Sequence, residues 1–87
     1  MATDENLFNQ SMGQKIKGRR INLGFTQTKV GKAVNVTFQQ IQKYEKGKNG
    51  VSSFKLNKLS KALQVPITYF FDPLILTKEM EVKSDQS

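Results

Sequence analysis

Two short helical segments separated by a very short connection constrain this chain more than any other feature. Thr26 can cap a helix running from Gln27 to Val34, with Val30 and Val34 four apart on its inner face. Thr37, followed three residues later by Gln40, has the form of a capping box and opens a further helix at Phe38 that should end near Lys46, before Gly47. Between Val34 and Phe38 stand only Asn35, Val36 and Thr37. Asparagine tolerates the left-handed backbone conformation, so Asn35 suits a tight turn between helices. Gly31, on the first of the two, leaves room for them to cross closely.

Further signals place helices on either side. From Ser11, a plausible cap, Met12, Ile16 and Leu23 share one helical face and Gly24 offers a stop. Residues 1–10 read as a flexible lead. After the basic loop K-G-K-N-G-V-S-S, a fourth helix capped by Ser52 or Ser53 carries Phe54, Leu56, Leu59, Ala62 and Leu63 on its apolar side. Pro66 at a first helical position opens a short fifth helix with Ile67, Phe70 and Phe71, closed by Asp72-Pro73. No strand-period alternation or internal repeat stands out. The expected architecture is all-α: a compact five-helix domain over 11–76, with a polar tail over 77–87.

At 87 residues the chain holds one small domain, which buries only roughly 60–65% of the surface its unfolded form exposes. It contains no cysteine and no histidine. That removes disulfides, thiolate chemistry and the usual zinc clusters, and fits a reducing cytoplasm. The start, M-A-T-D-E-N-L-F-N-Q, lacks the basic and apolar regions of a signal peptide. The apolar run at 66–76 is interrupted by Asp72 and Pro73 and is about half the length that spans a bilayer. With the acids mostly near the ends, no acid–base pair or nucleophile–base pair is apparent, so no enzymatic site, metal or cofactor is expected.

Charge is distributed unevenly. Between Lys15 and Lys61 stand twelve basic residues and a single acidic one, Glu45, a local net charge of +11 within a total of +7. Mildly acidic ends flank this basic middle. Such a segment points to a polyanionic partner, nucleic acid before an anionic membrane, since no helix pairs a wide apolar face with a basic one beyond what the core uses.

The helix from Phe38 shows where such a partner would lie. At about 100° per residue, Ile41 and Tyr44 form a narrow apolar face, while Gln39, Gln42, Lys43 and Lys46 share the opposite arc. Every residue on that arc donates hydrogen bonds and none is acidic. Glutamine can meet adenine bidentately in the major groove, and lysine can meet guanine or a phosphate. Phe38 falls on the border, placed either to touch a thymine methyl or to pack inward. Glutamine and lysine are also ordinary on solvated helices; the supporting helix and turn tip the balance toward a reading helix. Gln27 and Thr28, at the N-terminus of that supporting helix, present free backbone N–H groups to a phosphate.

The run R-R-I-N-L-G-F-T-Q-T-K-V-G-K-A-V-N-V-T-F-Q-Q-I-Q-K-Y-E-K-G resembles the phage-repressor and Cro type (xenobiotic-response-element-like) of helix-turn-helix regulator, over about residues 11–72. The resemblance implies base contacts from Phe38, Gln39 and Lys43, joined by Thr37 and Gln42, and phosphate contacts from Gln27, Lys46, Lys48 and Asn49. It also implies an ion pair between Arg20 and Glu45. Two positions depart from the pattern: Asn35 where glycine is frequent, and Gln40 where a small residue is common, which leaves the role of Gln40 open.

The expected function is sequence-specific DNA binding by a transcriptional regulator, as a repressor forming a homodimer on a two-fold operator, with Pro66, Ile67, Tyr69 and Phe70 at the dimer interface. The alternative is an antitoxin-type regulator that also binds a protein partner through the apolar set around the fifth helix, continuing into Leu74, Ile75 and Leu76.

Overall fold

In the computed structural model, residues 3–71 are described. Thr3 opens the first helix, α1 (Asp4–Asn22), by accepting a hydrogen bond from the Asn6 N–H at 3.1 Å. Asp4 and Glu5 then occupy its first turn, where acidic side chains complement the helix dipole. Residues 4–10 are therefore helical, and the expected lead with a cap at Ser11 is corrected. The cause is tertiary: the Phe8 ring packs 5.6 Å from that of Phe71 and lies against the core, which anchors turns whose own composition reads as polar.

The next two helices stand where their caps place them. α2 (Gln27–Val34) starts at Thr26, whose hydroxyl accepts from the Lys29 N–H at 3.0 Å, and it stops at Asn35 in the left-handed region, φ 62° and ψ 47°. Thr37 accepts from the Gln40 N–H at 3.1 Å and begins α3 (Phe38–Glu45). The turn between them closes through Val36 N–H donating to Gly31 O at 2.9 Å. A Cβ at position 31 would stand 2.7 Å from the Val36 carbonyl oxygen, so the crossing does depend on glycine there.

Ser52, not Ser53, caps α4 (Ser53–Ala62), accepting from the Lys55 N–H at 3.1 Å. Leu56, Leu59 and, at the C-cap, Leu63 are buried, whereas Phe54 is 65% exposed. The expectation that Phe54 lies on the inner face is thus corrected: it stands two residues before buried Leu56, about 200° around the helix, and so points away from the face that Leu56 and Leu59 bury. Pro66 is not the first residue of a fifth α-helix but an extended cap (φ −66°, ψ 153°) to a single 3₁₀ turn, Ile67–Phe70. The described residues accordingly contain four α-helices and one 3₁₀ turn, with no strand. Asp72-Pro73, Leu74, Ile75, Leu76 and the tail over 77–87 lie outside the described residues.

One core joins these elements. Ile16, Ile41, Leu59, Leu63 and Phe70 are fully enclosed, with Met12, Val30, Val34, Tyr44 and Leu56 around them. Each helix contributes side chains at three- or four-residue spacing, which is what gives helices this short their stability.

Candidate nucleic-acid interface

The inner side of α3 is fastened before its outer side is considered. Ile41 is fully buried and Tyr44 nearly so. Glu45, at the helix end, is buried too, and it receives Arg20 from α1 in a two-pronged pair: Nε to Oε2 at 2.6 Å and Nη2 to Oε1 at 3.0 Å. Arg20 Nη1 also donates to the Phe25 carbonyl at 2.9 Å. From α2, Gln27 Nε2 donates to Glu45 Oε1 at 3.1 Å. The carboxylate thus collects α1 and the start of α2 onto α3, with its charge matched by the guanidinium.

What remains on α3 faces outward. Thr37, Phe38, Gln39, Gln42, Lys43 and Lys46 are all exposed. Phe38, ambiguous from spacing, is 45% exposed and does not pack into the core. Gln40 is half-buried beside the Thr37 cap. Lys48 and Asn49 are exposed on the loop that follows α3, and Thr28 is exposed on the first turn of α2. Gln27 differs from this group: it is half-buried and its amide nitrogen is held by Glu45, which leaves its side-chain oxygen and the helix N-terminus as its outward features.

Three basic residues of the central segment have internal duties that composition does not reveal. Arg20 is the first. Arg19 Nε donates to the Leu63 carbonyl at 2.9 Å and closes the C-terminus of α4. Lys55 Nζ donates to the Val34 carbonyl at 2.9 Å, so α4 stabilises the last turn of α2 next to Asn35. Lys55 went unnoticed in the sequence because a lysine beside Leu56 reads as solvated; its half-buried position arises from a contact twenty-one residues away. Lys29 stands 4.2 Å from the Phe25 ring centroid, near the start of α2, and is otherwise exposed.

The residues assigned to a dimer interface divide. Pro66, Ile67 and Tyr69 are exposed, with Lys15 Nζ 5.4 Å from the Tyr69 ring centroid. Phe70 is fully buried in the chain's own core, where the turn packs against α1 and α4, so its assignment to an interface is corrected: an enclosed side chain is not available at the surface. Among the described residues no group of side chains is placed to hold a metal ion, and no helix is long and apolar enough to cross a membrane.

Residues 16–70 match the model of the helix-turn-helix family HTH_3. An uncharacterised HTH-type transcriptional regulator of Sinorhizobium medicae is 48% identical over 61 residues, which are 70% of this chain and 44% of the relative. Another from Sinorhizobium fredii is 43% identical over 79 residues, 91% of this chain and 55% of the relative. The chain therefore spans about half the length of the curated relatives it matches. The P22 c2 repressor, solved in complex with a synthetic operator, is 35% identical with a TM-score of 0.68, over 72% of this chain and 96% of that one. An HTH_3 family transcriptional regulator from Vibrio cholerae, at 21% identity, shares the fold with a TM-score of 0.75 over 86% of this chain and 43% of that one. With α2, the Asn35 turn and α3 forming the motif itself, this chain belongs to the HTH_3 helix-turn-helix family, a family of transcriptional regulators and not of enzymes.

Proposed function

We propose that this chain binds double-stranded DNA in a sequence-specific manner as a transcriptional regulator, with α3 in the major groove. The observation that carries the reading is the division of α3: its inner side is locked by Ile41, Tyr44 and the Arg20–Glu45 pair, and every polar residue on its exposed side can donate hydrogen bonds, with no acidic residue among them and one aromatic ring beside them. Gln39, Gln42 and Lys43 would meet base edges, Phe38 a thymine methyl, and Thr37 the groove wall at the helix start. Lys46, Lys48, Asn49, Thr28 and the N-terminal turn at Gln27 would meet phosphates on either side. That the similar P22 c2 repressor was solved in complex with a synthetic operator supports DNA binding as the role of this fold.

The regulator is a repressor in this reading, acting as a homodimer on a two-fold operator through the exposed Pro66, Ile67 and Tyr69. Exposure of Ile67 and Tyr69 also fits the second reading, in which an unrelated protein chain occupies that patch, as for an antitoxin. Selection of bound sequences from a random DNA pool tests the first reading. A two-fold motif with half-sites about 10–10.5 bp apart, or a multiple of that, is the expected result. A pool with no enriched motif would overturn it, and copurification of a second chain would favour the alternative.

A further inference from the structure

We infer that Asn49–Gly50, in the loop after α3, is a self-modification site: the Asn49 side-chain amide converts to a carboxylate with loss of ammonia, and the new negative charge weakens the hold of that loop on DNA. The effect on DNA rests on the reading above; the chemistry does not.

Deamidation of an asparagine begins when the backbone nitrogen of the next residue attacks the side-chain carbonyl carbon. It needs that N–H released from internal hydrogen bonds, a next residue that does not crowd the attack, and a backbone free to bring the two atoms together. The chain holds six asparagines, and these conditions separate them. Asn6, Asn9, Asn22 and Asn57 lie within α1 or α4, where the helix fixes the backbone. There the Leu7 N–H donates to the Thr3 carbonyl and the Leu23 N–H to the Arg19 carbonyl, each at 3.0 Å. Asn35 stands in a turn, but it precedes β-branched Val36, whose N–H is bound to the Gly31 carbonyl at 2.9 Å. Asn49 alone precedes a glycine. Both Asn49 and Gly50 are exposed and lie outside any helix. Among the described residues, neither the Gly50 N–H nor the Asn49 side chain has a hydrogen-bond partner.

Nor does the fold require glycine at position 50. Gly47, three residues earlier, has φ +72°, and a Cβ there would stand 2.6 Å from Gln10 Cα. Gly50 has no positive φ, and a Cβ on it would come no closer than 3.6 Å to any residue beyond its chain neighbours, an ordinary contact. What glycine supplies at this position is an unhindered nitrogen. The reaction then balances with water and hydroxide alone. Hydroxide removes the Gly50 amide proton, the nitrogen bonds to Asn49 Cγ, and the Cγ–Nδ2 bond breaks, with ammonia leaving after taking a proton from water. Water opens the resulting cyclic imide at either carbonyl, giving aspartate or isoaspartate. A neutral amide beside Lys48 thus becomes a carboxylate facing the phosphates, and the like charges repel.

The test incubates the full chain in neutral buffer at physiological temperature for several weeks, beside the same chain carrying Gly50→Ala. Peptide mass spectrometry of successive samples reads a gain of about one dalton at each asparagine. Titrations of the selected operator and a scrambled duplex against salt read the consequence. The peptide carrying Asn49 should convert while those carrying the other asparagines stay intact. Gly50→Ala should slow that conversion about ten-fold or more and leave the affinity of fresh protein unchanged. Aged parent protein and the Asn49→Asp variant should both bind the operator about ten-fold more weakly. Their slope of log K on log salt should shrink by about 0.9, as if one cation had been neutralised.

Conversion at Asn49 no faster than at the helical asparagines overturns the inference, as does equal conversion in Gly50→Ala. A converted loop that binds DNA with unchanged affinity and slope overturns the effect on binding. If the fresh parent protein shows no salt-dependent DNA binding, the DNA reading fails and the proposed effect on affinity falls with it, while the mass data decide the chemistry separately.

Discussion

Arg20 and Glu45 meet through two nitrogens and two oxygens across twenty-five residues of sequence, with the Glu45 side chain only 3% exposed. The pair is the only link among the described residues that joins α1, the α2 entry and the α3 end through one carboxylate, because Gln27 and Phe25 attach to the same two side chains. Breaking a buried pair by removing one partner leaves the other charge without compensation. Arg20→Ala or Glu45→Ala should therefore lose about 3 kcal/mol of stability, read from chemical denaturation, whereas replacing both by apolar residues of similar volume should recover much of that loss. Equal loss in the double replacement would show that packing, and not the pair, is responsible.

Specificity and affinity should separate on α3 and its loop. Gln39→Ala or Lys43→Ala should relax preference at one base position in each half-site, at a cost of roughly 1–3 kcal/mol on the selected operator and little on other sequences. Lys48→Ala should weaken binding to all sequences alike and reduce the salt slope by about one. Titrations of operator and scrambled duplexes over a range of salt distinguish the two patterns.

Gly31 is required by its neighbour's backbone. Gly31→Ala would drive a methyl group against the Val36 carbonyl, a backbone atom that cannot rotate away. A destabilisation of about 1–3 kcal/mol is expected, with a parallel loss of DNA affinity because the angle between α2 and α3 must open. Thermal unfolding of the variant, followed by operator binding below its melting temperature, checks both halves.

Gln64 offers a change in the other direction. It follows α4 with φ 61°, a left-handed conformation that a branched-off Cβ disfavours. Gln64→Gly should raise stability by about 1 kcal/mol and leave operator binding unchanged, since Gln64 lies at the far end of α4 from the loop after α3. A lower melting temperature would show that the side chain makes compensating contacts.

The exposed and buried members of the 3₁₀ turn should behave differently. Ile67→Asp should shift sedimentation toward monomer and remove cooperative binding to a two-fold site with the fold intact. Phe70→Ala should instead cost about 3–5 kcal/mol, because Phe70 is fully enclosed in the core. A monomeric parent protein on DNA would rule out the interface.

Capping made much of this fold readable before any tertiary contact was known. Thr26, Thr37 and Ser52 each accept from a backbone N–H three residues later, and Asn35 turns the chain by its own left-handed conformation. The outward set on α3 was equally legible, because one buried isoleucine and one tyrosine on so short a helix leave the opposite arc to solvent. The first turns of α1 were not legible. Their polar composition hid a helix held by Phe8 against Phe71 and by Gln10 against Gly47, partners more than thirty-five residues away.

What the sequence by itself determined is therefore local: where α2 and α3 begin and, to within one residue, α4, how the turn at Asn35 is made, and that a basic segment holding one acidic residue seeks a polyanion. Those depend on hydrogen bonds over three or four residues and on net charge, both of which can be read along the chain. Beyond the Arg20–Glu45 pair that the family resemblance already implied, tertiary structure decided which cations are structural and which are free, placing Arg19 and Lys55 on internal acceptors and leaving Lys43, Lys46 and Lys48 outside. It also put Phe70 in the core and Phe54 in solvent. The physical reason is common to all of these: burial is set by residues distant in sequence, and a side chain's composition does not reveal which backbone carbonyl, carboxylate or ring the folded chain will bring beside it.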